Sequence, residues 1–327
     1  MKEVLEHKDD AVAAVIGALL TFVIVTSLMG AYLLWYIPSS GQQNDIKYMG
    51  EVQNSFFQLQ NKMNNASPYF SQFVVQDLPL GVQGTPPFTS STDSQISFEN
   101  YSPSFTNLHY SLSVNVSYYG VKRTLNYTVN ENSTGTIALY PQTSFVTPTN
   151  IYYQNDIIIA NQQGSNYSQV LGVLPLQLSS SANGLFLNAS TFGFTGNSTS
   201  LGGFQSTILT MQYSDVNQVD VYRGENITIS NLTGGYTTAV VGNITLNSFY
   251  YNLTTPYANA LNYSFSQLYG GGLKASGSVS GGYYWNFSVS SLFRAHLNKS
   301  MLSIYSVAKI RPYGVGLNYY ILRLLQI

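Results

Sequence analysis

LHYSLSVNVSYYGVKRTLNYTV, residues Leu108–Val129, decides the fold class. Leu108, Tyr110, Leu112, Val114, Val116 and Tyr118 alternate with His109, Ser111, Ser113, Asn115, Ser117 and Tyr119. A period of two marks a strand with one face buried. Gly120 permits a turn, and Val121, Arg123, Leu125, Tyr127 and Val129 alternate beyond it. The stretch is therefore predicted as a β-hairpin.

Downstream, short runs of the same kind recur between turn residues. They are Thr136–Tyr140, Ile151–Ala160, Gly184–Asn188, Thr207–Tyr213, Gln218–Tyr222, Asn226–Leu232, Thr237–Tyr251 and Tyr283–Val289. Gly270–Gly282 (GGGLKASGSVSGG) reads as a flexible loop, and the apolar Asn318–Gln326 as a closing strand too short to span a bilayer. Residues 95–327 are thus expected to be mainly β, an antiparallel β-sandwich region of one sandwich or two in tandem. Upstream, Gly81–Ser94 is rich in Gly, Pro, Ser and Thr around Pro86-Pro87, so residues 64–94 read as a linker.

The N-terminal part has a different pattern. Ala11–Ile37 is 27 residues without a charge. As a helix it would run about 40 Å, against about 30 Å of bilayer hydrocarbon. Thr21, Thr26 and Ser27 can bond back to their own helix carbonyls. Tyr32, Trp35 and Tyr36 gather at the C-terminal end, as interfacial aromatics do. Ala13, Ala14, Gly17 and Ala18 are small residues at a spacing of four, which lets helices approach closely. Pro38-Ser39-Ser40-Gly41 reads as a break. Asn44 then serves as N-cap for a short second helix, Asp45–Met63, within 38–63. Met49, Val52, Phe56, Leu59 and Met63 form one apolar seam on it, expected to pack on the domain that follows. Residues 1–10, with four acids and two lysines, form a short leader or cytoplasmic segment. A cleaved secretory signal does not fit, because the leader is acidic and the apolar run is too long.

Composition narrows the function. Charged residues are 8 % and the net charge is −1, so nothing favours nucleic acid as a partner. There is no cysteine, hence no disulfide and no thiolate metal site. Asn, Gln, Ser, Thr and 27 tyrosines provide the polar surface. Such a surface changes little in charge as pH falls, which suits an acidic exterior.

Fifteen Asn-x-Ser/Thr sequons occur, where chance pairing at this composition gives roughly six. Asn65 and Asn100 are weak acceptors because Pro68 and Pro103 follow. The others are Asn115, Asn126, Asn132, Asn166, Asn188, Asn197, Asn226, Asn231, Asn243, Asn252, Asn262, Asn286 and Asn298. In ten of the fifteen the middle residue is strongly apolar, so strand geometry would bury it and leave Asn and Ser/Thr on the solvent face. A polar β-surface also generates sequons for free, which accounts for part of the excess. N-linked glycans on several sites would require an external β-region.

No catalytic site, cofactor site or metal site is expected. His7, His109 and His296 lie far apart, and no HExxH, G-x-S-x-G or phosphate loop is present. The Asp215–Asp220 stretch lacks the fifth-position ligand and sixth-position glycine of an EF-hand, leaving only a loose grouping of Asp215, Asp220 and Glu225.

Asp10-Ala11-Val12-Ala13-Ala14-Val15-Ile16-Gly17 resembles the start of archaeal type IV pilin-like proteins, where a charged leader meets AVSPVIG ahead of a long apolar helix. Ile37-Pro38, and Asn44 to Asn61 with Val52-Gln53 and Leu59-Gln60-Asn61, are similar to the polar helix that precedes a β-rich domain in many of them. The resemblance covers Asp10–Met63. It implies export by the secretion and pilus assembly machinery, with the C-terminal region extracellular. It also implies cleavage between Asp10 and Ala11, and assembly with copies of itself or other pilins through the apolar helix. The junction departs from the family, which has Lys or Arg followed by Gly or Ala; here Asp9 and Asp10 follow Lys8. The expected function is a structural cell-surface protein, held by membrane lipid or built into an extracellular filament, that displays a glycosylated β-rich domain for adhesion. The alternative is an uncleaved, membrane-anchored binding module for a sugar, peptide or other solute.

Overall fold

The computed structural model describes residues 2–65, 73–84, 90–100, 105–181, 184–230, 235–269, 274–279, 282–286, 293–298, 301–306 and 309–326. The protein is mainly β, with a long apolar N-terminal helix and several largely antiparallel sheets.

The expected break at Pro38 is absent. Helix α1 (Lys2–Ala31) passes through a π-helical turn (Tyr32–Tyr36) straight into α2 (Ile37–Asn65). The Ile37 N–H reaches back five residues to the Tyr32 carbonyl. In a regular helix Pro38 would lack a donor and crowd the carbonyl four residues earlier. A π turn just ahead of it widens the helix and absorbs that conflict. The rings of Tyr32 and Tyr36 stack on this turn with centroids 4.7 Å apart. The second helix therefore starts at Ile37, and Asn44 is no N-cap. It lies mid-helix, donating its Nδ2 to the Gln83 carbonyl at 3.0 Å.

The α2 seam packs as expected on the β-region. Met49, Val52, Phe56, Leu59 and Met63 are buried together with Val74, Ile96, Tyr153, Phe192, Phe194, Leu209 and Met211. At the head of α2, the Asp45 Oδ2 accepts the backbone N–H groups of Ser144, Phe145 and Val146 at 3.0, 2.7 and 3.2 Å. Such charge-assisted bonds are the stronger kind. At the other end, the Gln60 Nε2 donates to the carbonyls of Asp156 and Val173 at 2.7 and 3.1 Å.

The strands are β1 (Phe73–Leu78), β2 (Gly81–Val82), β3 (Thr92–Glu99), β4 (Phe105–Tyr118), β5 (Val121–Thr134), β6 (Thr136–Tyr140), β7 (Thr149–Gln154), β8 (Ile157–Gln162), β9 (Ser168–Leu171), β10 (Leu176–Ser181) and β11 (Gly184–Thr195). They continue as β12 (Thr199–Gly203), β13 (Thr207–Tyr222), β14 (Asn226–Ser230) and β15 (Tyr236–Thr254), then helix α3 (Ala258–Tyr269). The last are β16 (Lys274–Val279), β17 (Gly282–Asn286), β18 (Phe293–Asn298), β19 (Met301–Ser306) and β20 (Gly314–Gln326). One sheet has the order β1-β13-β20-β11-β10, with β11 and β20 parallel. A second runs β12-β3-β6-β7-β8-β9 with β2 on β3, and a third runs β16-β17-β18-β19-β15-β4-β5 with β14 on β15.

The β4–β5 hairpin forms where predicted. Tyr119 and Gly120 have φ of 47° and 80°, the two-residue left-handed turn that strand twist favours. Several expectations need correction. The stretch read as linker contains β1, whose alternating faces pair with β13, and β2; residues 66–72 and 85–89 lie outside the described set. Ile151–Ala160 is two strands, because Asn155 and Asp156 take φ of 51° and 61° between β7 and β8. Asn and Asp tolerate that conformation better than other side-chain types. Thr207–Tyr213 and Gln218–Tyr222 are one strand, with an irregularity between Tyr213 and Asp215. That irregularity reverses the inward parity: Leu209, Met211 and Tyr213 face the α2 core, whereas Val219 and Val221 face the other. Lys274–Val279 is a strand rather than loop, since pairing with β17 overrides its glycine content.

Two hydrophobic cores result, fused rather than in tandem. On β8, Ile157 and Ile159 enter one core while Ile158 and Ala160 enter the core of α2. On β11, Leu187 and Ala189 serve the first, and Phe192 and Phe194 the second. Continuous apolar runs are what doubly buried strands require.

Gly135 carries the chain from β5 in one sheet to β6 in another. Its φ is +95°, and a Cβ there would lie 2.6 Å from the Phe194 carbonyl oxygen. Gly135→Ala is expected to cost about 2–3 kcal/mol. Thermal unfolding would measure it, and an unchanged midpoint would refute the packing argument.

Candidate functional site

The first functional surface is the bare part of α1. From Val15 to Met29 the apolar side chains are exposed, and beyond them Leu34 and Trp35 are 83 % and 75 % exposed while the Tyr32 and Tyr36 rings stack on each other. The length from Val15 to Tyr36 is about 33 Å, close to the roughly 30 Å of a bilayer core. Burial starts at the very next residue, Ile37. Thr21 and Thr26 donate to the Gly17 and Phe22 carbonyls at 2.9 and 2.8 Å, so neither hydroxyl is left unpaired in an apolar setting. Ala13, Ala14, Gly17 and Ala18 are all exposed, and a Cβ on Gly17 would meet nothing within 4 Å. Asp10 and Ala11 lie inside α1 by their backbone; their side chains fall outside the described set.

The second surface is the outer face of β4, β5 and β15. Asn115, Asn126, Asn132 and Asn243 are exposed there, and Asn252 is half-buried. Asn115 Oδ1 accepts from Thr124 Oγ1 at 2.8 Å. Asn247 Nδ2 donates to Ser113 Oγ, which donates to Asn126 Oδ1, both at 2.8 Å. Asn107, which is in no sequon, gives its Nδ2 to Asn130 and Asn132 at 2.8 and 2.7 Å. The sequon residues Asn115 and Asn126 are thus engaged through oxygen, and their amide nitrogens, the atoms an N-glycan uses, make no hydrogen bond among the described residues. Asn166, Asn197 and Asn226 are exposed and Asn188 is half-buried. Asn262, Asn286 and Asn298 are described only in their backbone, and Asn231 lies outside the described residues.

A third feature was not legible in the sequence. A cleft of about 1010 Å³ opens between the β8–β9 turn and α3. Tyr167, Tyr257 and Tyr263 line it with Asn161, Gln169 and Asn259.

No known protein family and no curated protein sequence matches the chain. Function is therefore read from chemistry alone.

Among the described residues no three His, Asp or Glu side chains gather. Asp220 accepts from the Gln218 amide, and Glu225 Oε2 takes the Tyr222 N–H at 3.0 Å. The ring of His109 lies 6.4 Å from that of Tyr250 on the outer sheet face.

Among the described residues one carboxyl is perturbed. Asp156, in the β7–β8 turn, is 2 % exposed. Its Oδ1 accepts from Tyr153 at 3.0 Å and from Asn64 at 3.3 Å, and its Oδ2 accepts from Ser190 at 3.3 Å. Burial pushes it up from 3.8 to about 7, against the pull of those hydrogen bonds. It joins the end of α2 to both cores.

Proposed function

We propose that the protein is a structural, pilin-like subunit of an archaeal cell surface, held or assembled through α1 and displaying a glycosylated β-region for surface interaction. One observation carries this reading. A single uninterrupted helix has its first half bare and apolar and its second half embedded in a β-rich body. The bare half suits either lipid or the apolar helices of neighbouring copies. The exposed sequon residues Asn115, Asn126, Asn132 and Asn243 on the β4–β5–β15 face support N-linked glycans, and with them an external location.

Filament assembly has a cost that fixes the test. An uncut leader would keep Lys2, Glu3, Glu6, Lys8, Asp9 and Asp10 at the head of the helix, where burying unpaired charge in a helical bundle is expensive. Assembly therefore needs removal of Met1–Asp10, with Ala11 as the new terminus. Peptide mass spectrometry of material sheared from cells is expected to find that terminus, and glycan masses on peptides holding Asn115 or Asn126. Intact Met1 or Lys2 termini confined to the membrane fraction would sink the filament reading and leave an anchored surface protein.

A further inference from the structure

We propose that the cleft between the β8–β9 turn and α3 is a binding site for a neutral oligosaccharide. α3 is two-faced. Ala258, Leu261 and Phe265 enter the hydrophobic core, while Asn259, Ala260, Tyr263 and Ser264 line the cleft. Asn259 and Tyr263 are one helical turn apart, so an amide and a phenol ring present together.

The opposite wall is held by its own backbone. The Tyr167 carbonyl accepts from the Gln162 N–H at 3.2 Å, and the Tyr167 N–H donates to Ser165 Oγ at 3.1 Å. Asn161 Nδ2 ties across to Ser168 Oγ at 2.7 Å. The third ring, Tyr257, leans on Tyr152 at 5.1 Å between centroids, and Tyr152 meets Tyr140 edge-on at 5.9 Å. The cleft is thus preformed, and its volume suits a chain of a few sugar units.

Its chemistry selects the class of ligand. In a chain with 8 % charged residues, a charge-free lining is ordinary. The tyrosines are not: three of fifteen lining residues are Tyr, against 27 in 327 overall. Tyr167 and Tyr263 are 63 % and 65 % exposed, which leaves apolar ring area in water until something covers it. Sugar C–H faces cover such rings, and the amides of Gln169 and Asn259 suit hydroxyls as donor and acceptor. A charged ligand finds no counter-charge in the lining. Asn166, whose sequon lies in the same lining, gives the ligand two sources: a carbohydrate from outside, or a glycan carried by Asn166 itself.

The test uses the full-length protein in detergent, made without N-glycosylation. It is titrated by calorimetry with maltotetraose, cellotetraose and mannotetraose, with tetragalacturonate as the charged control. At least one neutral tetrasaccharide is expected to bind and the control is not. Tyr167→Ala and Tyr263→Ala should each weaken binding roughly tenfold, whereas Tyr167→Phe should keep most of it. Both tyrosines are exposed, so the variants leave the fold intact. Failure of all three neutral sugars overturns the proposal, as does binding that both alanine variants leave unchanged or equal binding of the control. A second arm compares glycosylated protein with glycosylated Asn166→Gln. If only the variant binds added sugar, the attached glycan is the occupant; if both bind, the ligand comes from outside.

Discussion

A chain that begins at Phe88 is expected to aggregate, whereas one that begins at Ile37 is expected to stay monomeric and unfold cooperatively. The shorter chain loses Val52, Phe56, Leu59 and Met63, all buried in one core with β-strand residues. Truncating one such side chain to alanine typically costs about 2–5 kcal/mol. Losing four, about 8–20 kcal/mol, is as large as the roughly 5–15 kcal/mol that holds a domain together. It also loses β1, whose six residues pair with β13 from Phe73↔Gln212 to Leu78↔Thr207. That edge of β13 would then be open to pairing with another molecule. Size-exclusion chromatography and calorimetry of the two chains decide the matter. A soluble, cooperatively folding chain from Phe88 would mean that α2 is only an accessory to the β-region.

Stability is expected to rise as the medium becomes acidic, down to about pH 4. The unfolded Asp156 carboxyl titrates near 3.8 and the folded one near 7. A folded value above the unfolded one means that the native protein holds a proton the unfolded chain has released. The contribution is fully present below the unfolded value and is lost as pH rises through 7. Three pH units correspond to roughly 4 kcal/mol. The groups facing the carboxyl are the hydroxyls of Tyr153 and Ser190 and the amides of Asn64 and Gln60, with Tyr251 nearby. Among the described residues no lysine, arginine or histidine pairs with it. Asn fits the same turn, since it tolerates a left-handed φ. Its oxygen can accept from Tyr153 and Asn64, and its amide can donate to Ser190. Asp156→Asn is thus expected to raise the unfolding temperature at pH 8 by roughly 5–10 °C and to change little at pH 4. A parallel pH dependence in wild type and variant would assign the titration elsewhere.

Local patterns were legible wherever one face meets water. The β4–β5 hairpin and the α2 seam follow from periods of two and of three to four. Expectations failed where the decisive partner is distant in sequence. Pro38 reads as a stop because the π turn that accommodates it has no residue signature. Asn155-Asp156 was hidden by the Ile157–Ile159 run beside it, apolar because β8 is covered on both faces. β1 was masked by the Pro and Gly that follow it. The start of α3 does carry a signal, Pro256 followed by Ala258, Leu261 and Phe265 at helical spacing, but its Asn, Tyr and Ser content matches the surrounding strands. The cleft joins residues about 95 positions apart, from Asn161 to Pro256, and no local pattern could reveal it.

The position of β20 governs the order in which the molecule can be completed. It lies between β11 and β13, parallel to one and antiparallel to the other, and delivers Val315 and Leu317 to the core. Until residues 314–326 have been synthesised, β11 and β13 each wait with one edge unpaired, and the helix that packs against β13 waits with them. Contacts this remote close late and slowly. The β4–β5 hairpin and the sheet built on β3, β6, β7, β8 and β9 can pair without β20, so the C-terminal strand acts as a late fastener for one layer of the molecule only.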